Sequence, residues 1–446
     1  MLLALLLAGC VPPGWSDTPV DGLVHAHRFR LGGGGADAVR VVCTHGASGE
    51  VHEVAGLPGD HLVVYGLLAD ESYDCVLSGP DGTEERAVQT GPLAADVPAL
   101  EVTGETTGWT LFSTTRDDRE GRAPRLLIVD AEGRVRWVHR VAENASDLDA
   151  TWLGDGTVLL GGGYQVPPRR ITLGGEVVHE ARLSGEEPPH HHVEQRADGT
   201  VDVLRGAPAS AGGVAWRGFR VETWDEALEE RLWSWDAQRG VDDGWLPRAN
   251  EGQDAYHANA LIDRGGEVAV SLRHVSRIES IDRETGAHVW SLGRGGDFVL
   301  VDEAGEELPA ALWFYGQHAP KMRGNRVLVH DNGWGRPTSR RFSRLVELAL
   351  SEEAGTATVV WDWTEAGWYE PIWGDADWLP SGHVLLTRAH CERCGLGGLT
   401  QLVEIDPSTD EVVWRLTLTD PADGGYRAQR FVDCRWLGSS ACVEAP

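Results

Sequence analysis

Short runs in which apolar and polar residues alternate, each closed by a glycine-containing turn, recur along this chain and point to half-buried β-strands. Residues 38–43, Ala-Val-Arg-Val-Val-Cys, alternate in this way. The stretch from Gly66-Leu67 to Tyr73-Asp74-Cys75-Val76-Leu77 reads as the approach to a late strand of a β-sandwich. From about residue 100 a longer unit repeats: an inner strand after a glycine-containing turn, a strand ending in an Ile/Val-Asp step, and a strand that closes on tryptophan. Leu127-Ile128-Val129-Asp130 with Val135-Arg136-Trp137 is one copy. Ile278-Glu279-Ser280-Ile281-Asp282 with His288-Val289-Trp290, and Leu402-Val403-Glu404-Ile405-Asp406 with Val412-Val413-Trp414, are two more. The turn glycines Gly156, Gly199, Gly266, Gly324 and Gly382 are spaced by 43, 67, 58 and 58 residues, intervals that suit propeller blades with loops of unequal length.

The expected fold is all-β: a small β-sandwich over residues 20–97, then a six-bladed β-propeller over 98–446. Blades are expected near 100–142, 149–182, 190–237, 256–294, 316–364 and 373–417, with the tail from 420 to 446 supplying a closing strand or clasp. Tyr73, two residues before Cys75, has the spacing of a tyrosine corner beside an inter-sheet cysteine. Residues 20–97 thereby resemble a fibronectin type III domain, which implies a bridge between Cys43 and Cys75. Trp137, Trp290, Trp361 and Trp414 recur at strand ends, where indoles fill wedges between sheets. Trp313, Phe314 and Trp334 flank His318 and are read instead as aromatic walls for a phenyl ring.

A formal net charge of −30 disfavours nucleic acid as a partner, because like-charge repulsion opposes encounter. Lys321 is the only lysine, so any anion site must be built from arginine and histidine. Residues 1–19 read as a lipoprotein signal and tether. Met1 to Ala8 is apolar but too short to cross a bilayer, and Leu7-Ala8-Gly9-Cys10 resembles a bacterial lipobox whose cleavage leaves Cys10 lipidated. That reading anchors the protein to a membrane of the cell envelope, on the periplasmic side, with Val11 compatible with outer-membrane sorting. Beyond Cys10 the cysteines at 43, 75, 391, 394, 434 and 442 form an even set, which favours disulfides in an exported protein. Cys391, Cys394, Cys434 and Cys442 also offer the ligand types of a zinc site.

Four histidine-centred segments recur at blade-like spacing. They are His190-His191-His192 with Asp198-Gly199, Tyr256-His257-Ala258-Asn259, Ser271-Leu272-Arg273-His274, and Gly316-Gln317-His318 with Asp331-Asn332-Gly333. A repeated fold brings equivalent positions to one axis, so these imidazoles, amide and guanidinium can share a pocket suited to transferring a charged group. Neither a GxxxxGK[ST] loop nor a GxGxxG strand-to-helix fingerprint is present, which argues against a nucleotide sulfate donor or dinucleotide, and no cofactor is expected. His190 and His192 share a strand face as metal ligands can, but no matched carboxylate or third-strand ligand accompanies them, so no metal is expected there.

In this order, and after a β-sandwich, His190-His191-His192-Val193-Glu194, Tyr256-His257-Ala258-Asn259, Val270-Ser271-Leu272-Arg273, Gln317-His318 and Asp331-Asn332-Gly333 resemble the bacterial arylsulfate sulfotransferases. The resemblance implies a six-bladed propeller that moves a sulfuryl group from an aryl sulfate to a phenolic acceptor through a sulfohistidine, without a nucleotide donor. It implies His318 as nucleophile, His257 and Asn259 holding sulfuryl oxygens, Arg273 compensating sulfate charge, and His191, with His190 beside it, as the earlier site histidine. The chain departs from the family in His192, where relatives carry Asp, and in Ala260, where a small hydroxyl residue is usual. The alternative is a non-catalytic propeller that binds or scaffolds at the cell envelope; homo-oligomerisation is open.

Overall fold

The computed structural model of the protein describes residues 14–32, 37–115, 124–142, 145, 147–183, 188–389 and 398–432. The expectations for Cys10, Cys391, Cys394, Cys434 and Cys442 lie outside the described residues. The chain divides into two compact units, one of Met1–Val97 with Arg134–Val138 and Val432–Pro446, the other of Pro98–Gly133 and His139–Phe431. Both are all-β. Among the described residues helix is confined to Ala237–Asp242 and a 3-10 turn at Ala310–Leu312, and no helix is long and apolar enough to cross a membrane.

In the first unit Trp15–Val20, Leu23–Leu31 and Leu62–Tyr65 make a three-stranded sheet. Val51–Gly56, Val39–His45, Ser72–Gly79 and Gly82–Gln89, in that order, make a four-stranded one. Strict alternation along Ser72–Gly79 turns Tyr73, Cys75 and Leu77 inward, where they join Phe29, Val41 and Val64 in one core. The Tyr73 hydroxyl accepts the Leu68 backbone N–H at 2.7 Å, the bond that the tyrosine-corner spacing anticipates. Cys43 and Cys75 are bridged, but not between sheets. Their strands are neighbours in the four-stranded sheet and the two residues sit directly opposite each other, so the bond crosses one strand pair. Replacing both cysteines by serine is expected to lower the unfolding free energy of this unit by about 3–4 kcal/mol, the loop-closure entropy of a cross-link spanning 32 residues. The urea midpoint of the double variant against the parent checks it.

The second unit consists of six sheets. Leu148–Trp152, Pro189–Gln195, Ala258–Asp263, His318–Arg323 and Asp375–Trp378 each stand at one edge of their sheet, and Gly424–Phe431 stands at the corresponding edge beside Trp109–Thr115. These six strands neighbour one another in a cycle, so the arrangement is propeller-like. Closure uses both ends of the unit. Gly424–Phe431 pairs with Trp109–Thr115, while Leu100–Gly104 pairs with Glu411–Leu418 at the opposite edge of the last sheet. The expected first blade, 100–142, is corrected accordingly: its opening strand belongs to the last sheet, because interleaving the two chain ends over two sheets ties the ring shut from both sides.

Tryptophans stitch successive sheets together. Indole N–H groups donate to carbonyls of the next sheet from Trp235 to Gly286 at 3.1 Å, from Trp363 to Asp410 at 3.1 Å and from Trp414 to Ala131 at 2.9 Å. Trp137, Trp290 and Trp414 are buried as expected, whereas Trp361 is half-buried and Trp363 fills that wedge.

Candidate active site

The inner strands break register at their site end. Irregularities fall between Pro189 and Val193, between Ala258 and Ala260, between His318 and Lys321, and between Gly425 and Ala428. His191, His257 and Ala319 there adopt φ of 64°, 47° and 42°, a region that residues with a Cβ rarely occupy. Such bulges re-aim side chains that simple alternation would send to opposite faces. His190 and His191 consequently both line one cavity of about 310 Å³, together with Tyr164, Arg217, Asp254 and His257. His192 turns elsewhere: its Nδ1 accepts from Arg427 at 2.5 Å, and that arginine also pairs with Asp149 at 2.8 Å.

A chain of rings leads across the site. His190 Nδ1 and His191 Nδ1 are 2.8 Å apart, the His191 and His257 centroids are separated by 4.9 Å, and His257 stacks on His274 at 4.7 Å. Asp254 clamps His257 from below, its Oδ2 taking the Nδ1–H at 2.6 Å and its Oδ1 the backbone N–H at 3.0 Å. That pairing fixes the tautomer and leaves Nε2 as the atom that exchanges a proton. Arg273 is held by His274 Nε2 at 2.8 Å and by the Pro371 carbonyl at 3.0 Å, with its guanidinium 4.7 Å above the Trp334 ring. Its Nε is buried without a hydrogen-bond partner among the described residues, a donor suited to an anion.

His318 is only 1% exposed, and its protonation pattern follows from its neighbours. Asn332 Nδ2 donates to the carbonyls of Glu370 and Trp373, both at 2.8 Å, so its Oδ1 is the atom 2.8 Å from His318 Nδ1. Nδ1 therefore carries the hydrogen and Nε2 the lone pair, toward which the Trp373 N–H points at 3.3 Å. Trp373 itself has φ 62° and anchors its indole on Asp147 at 2.7 Å. The next residue must be glycine, since a Cβ at Gly374 would collide with the His330 ring and φ there is 95°.

Two of the expected contacts come out differently. Asn259 is fully buried and donates to the Gln317 carbonyl at 2.7 Å, so its amide holds the backbone just before His318 rather than reaching toward sulfuryl oxygens. Trp313 and Phe314 pack in the apolar cluster with Phe298, Val329 and Leu348, because the segment entering the inner strand fills the wedge between sheets and shows no ring to the cavity. Trp334 is 42% exposed and lies over Arg273. The aromatic wall of the cavity is Tyr164, stacked on His190 at 5.6 Å, at a position no spacing argument singled out. Asp254, three residues before His257, and Asn332, in the Asp331-Asn332-Gly333 segment, are the sequence positions that mark the partners of the two histidines.

Burial first, and then the charge of His257, lowers His190 to about 4. Burial together with the neighbouring histidines holds His191 well below its ordinary value, and burial followed by the Arg273 charge does the same to His318. All three are neutral near pH 7. Burial pushes Asp254 up, but the hydrogen bond and charge of His257 outweigh it and keep the carboxylate ionised. Above the ordinary histidine value of 6.5 the buried neutral rings cost nothing in proton linkage; below it the unfolded chain takes up protons that the folded chain refuses. The contribution of each such histidine is thus expected to be flat above pH 6.5 and to fall toward pH 4, where His190 titrates, by about 1.4 kcal/mol per pH unit. It is opposed by the buried carboxyls of Asp377 and Glu370, which burial pushes up and which therefore add stability as the pH drops, so the histidine part is read as the difference between the parent and His190→Gln. Urea midpoints measured from pH 8 to 4, as an order-of-magnitude series of about one-unit steps, check the direction.

Asp254, His257 and His274 each bring a ligand atom within 4.8 Å of the others, a spacing that a metal ion could use. The geometry disfavours a cation, because His274 Nε2 already accepts from Arg273 and its Nδ1 donates to the Asp254 carbonyl at 2.8 Å.

Among solved structures, a Bacteroides caccae protein of unknown function is 16% identical, covers 70% of this chain and 94% of its own, and superposes with a TM-score of 0.47. The periplasmic gluconolactonase of Pseudomonas aeruginosa is 12% identical over 88% of this chain and 99% of its own, with a TM-score of 0.38. The Cps50 (Swd1) beta-propeller domain of Myceliophteria thermophila is 10% identical over 72% and 90%, also at 0.38. No curated protein matches. The family model described as Arylsulfotransferase (ASST) matches residues 103–427, which contain all the histidine segments and most of the chain: this protein belongs to the arylsulfotransferase family.

Proposed function

We propose that the chain is a nucleotide-independent sulfotransferase that moves a sulfuryl group from an aryl sulfate to a phenol through a sulfohistidine at His318. The observation that carries this reading is the tautomer of His318: Asn332 fixes the hydrogen on Nδ1, and Nε2 keeps the lone pair on a ring kept neutral by burial and by Arg273. Among the described residues that lone pair accepts only the long 3.3 Å contact from the Trp373 N–H. In the first half-reaction Nε2 forms a bond to sulfur as the S–O(aryl) bond breaks, and the departing phenolate takes a proton from His257 Nε2. In the second the acceptor phenol returns its proton to His257, its oxygen attacks sulfur, and the N–S bond breaks. Arg273, whose Nε has no hydrogen-bond partner among the described residues, offsets the charge that spreads over the sulfuryl oxygens. Asp254 stabilises the imidazolium form of His257. His191 and His190 complete the wall against which the arene lies, with Tyr164 and Trp334 as its aromatic surfaces.

In this reading the six sheets are the blades of a six-bladed propeller, and the two-sheet first unit is a fibronectin type III-like spacer. Cys10 is the lipid anchor that holds the enzyme to the periplasmic side of the envelope. Incubation with a chromogenic aryl sulfate tests the activity. Arene release that rises with added phenol supports transfer, release indifferent to phenol means hydrolysis, and no release means a scaffold.

A further inference from the structure

We propose that Arg217 and Tyr164 form a second anion subsite in this cavity, selecting aryl sulfates and phenols whose ring bears a further anionic substituent such as a carboxylate. The proposal rests on the sulfotransferase reading and deepens it, since donor arene and acceptor phenol occupy the same cavity in turn.

The subsite is built by one hairpin. Val201–Ala211 and Val214–Trp224 pair along eleven residues each, longer than any other strand described, and Gly206, Arg217 and Gly218 of this hairpin line the cavity. With glycines on either side of the contact, Arg217 is the long side chain the hairpin brings there. Its backbone is fastened to the segment that carries Asp254: the Arg217 N–H donates to the Gln253 carbonyl at 2.9 Å, and its own carbonyl accepts from Ala255 at 3.3 Å.

The guanidinium is what stands out. Arg205 and Arg220, on the same hairpin, are paired with Glu222 at 3.1 Å and Asp236 at 2.7 Å. Arg217 has no ion pair or side-chain hydrogen bond among the described residues, in a chain of net charge −30 with carboxylates in excess. Its positive charge also acts on the Tyr164 hydroxyl, which burial and the carboxylates of Asp147 and Asp254 keep protonated and able to donate. A cavity of about 310 Å³ has room for more than an unsubstituted phenyl ring. A cation, a phenolic donor and a stacking face together match a ring with an anionic arm; Arg273 remains for the sulfuryl group itself.

The experiment compares 4-hydroxybenzoate with its neutral isostere 4-hydroxybenzamide as acceptors, in the parent, Arg217→Gln and Arg217→Lys, with 4-nitrophenyl sulfate as donor. Arg217 is exposed, so the parent is expected to favour the carboxylate in kcat/KM by about threefold to fivefold, the size of a solvent-screened ion pair. Arg217→Gln is expected to erase that ratio and Arg217→Lys to keep part of it. An equal kcat/KM for the two acceptors in the parent, or an unchanged ratio in Arg217→Gln, overturns the subsite. Were no phenol sulfated at all, the sulfotransferase reading would fall by itself. Calorimetric binding of 4-hydroxybenzoate and 4-hydroxybenzamide to the parent and Arg217→Gln would then decide the subsite on its own: preference for the carboxylate lost with Arg217 supports it, and no preference removes it.

Discussion

Replacing His318 by alanine is expected to abolish sulfuryl transfer and the covalent adduct together. The tautomer of this ring is fixed by an amide that is itself pinned, at 2.8 Å, by two backbone carbonyls, so Nε2 is the nitrogen left to act as a base or nucleophile. A nucleophile that forms the intermediate has no understudy, and loss of such a group costs on the order of 10⁴ to 10⁶ in kcat. The check pairs turnover of an aryl sulfate with intact mass after brief exposure to it in the absence of acceptor. The parent gains one sulfuryl group and the variant none. An adduct of unchanged yield in His318→Ala would move the nucleophile to another residue, and His191 would then be the first to map. Because His318 is buried and its removal leaves a cavity, Asn332→Asp serves as a second variant that fills the same volume. It keeps an acceptor on Nδ1 but adds charge and gives up both donations to the Glu370 and Trp373 carbonyls, so an unfolding midpoint is measured beside it, and an adduct that forms with altered rate in the folded variant separates chemistry from folding.

How much of this could be read from residues alone depends on which interaction decides each feature. Strands and their turns were legible because alternation and glycine placement are local: Gly199, Gly324 and Gly382 turn the chain at φ 88°, 59° and 90° where the repeat puts them. Three of the histidine segments were legible because they recur at the spacing of the sheets, whereas Ser271–His274 does not mark a further sheet: its strand pairs with Ala258–Asp263 inside the same one. Features set by register were not. Periodicity assigns His190 and His192 to one face, and it is the irregularity between Pro189 and Val193 that puts His190 and His191 there and sends His192 to Arg427. The same blindness to register let Cys43 and Cys75 be expected between sheets when they lie opposite each other within one. Trp313 and Phe314 look like Trp334 in sequence, since all three flank His318, and only packing distinguishes two wedge fillers from the ring under Arg273. Asp254, Tyr164 and Arg217 reach the cavity from three segments with no motif in common, so their convergence is a property of the fold.

Asp254→Asn is expected to slow transfer by about 10²- to 10³-fold with poor leaving groups and far less with good ones, because its task is to sustain the proton donor. In the parent, the carboxylate 2.6 Å from His257 Nδ1 both orients the ring and supports its positive charge. The amide oxygen of an asparagine can still accept the Nδ1–H, so orientation survives while the negative charge that favours proton transfer through the ring is lost. The departing arene decides how much that matters. Phenolate, the conjugate base of an acid of pKa about 10, needs the proton as the S–O bond breaks, whereas 4-nitrophenolate leaves readily without it. Plotted against leaving-group pKa, log kcat/KM should therefore fall more steeply for Asp254→Asn than for the parent. A residue that merely props the loop would lower every substrate by the same factor and leave the slope alone. Parallel lines for the two proteins would thus assign Asp254 to architecture and require a proton donor other than His257.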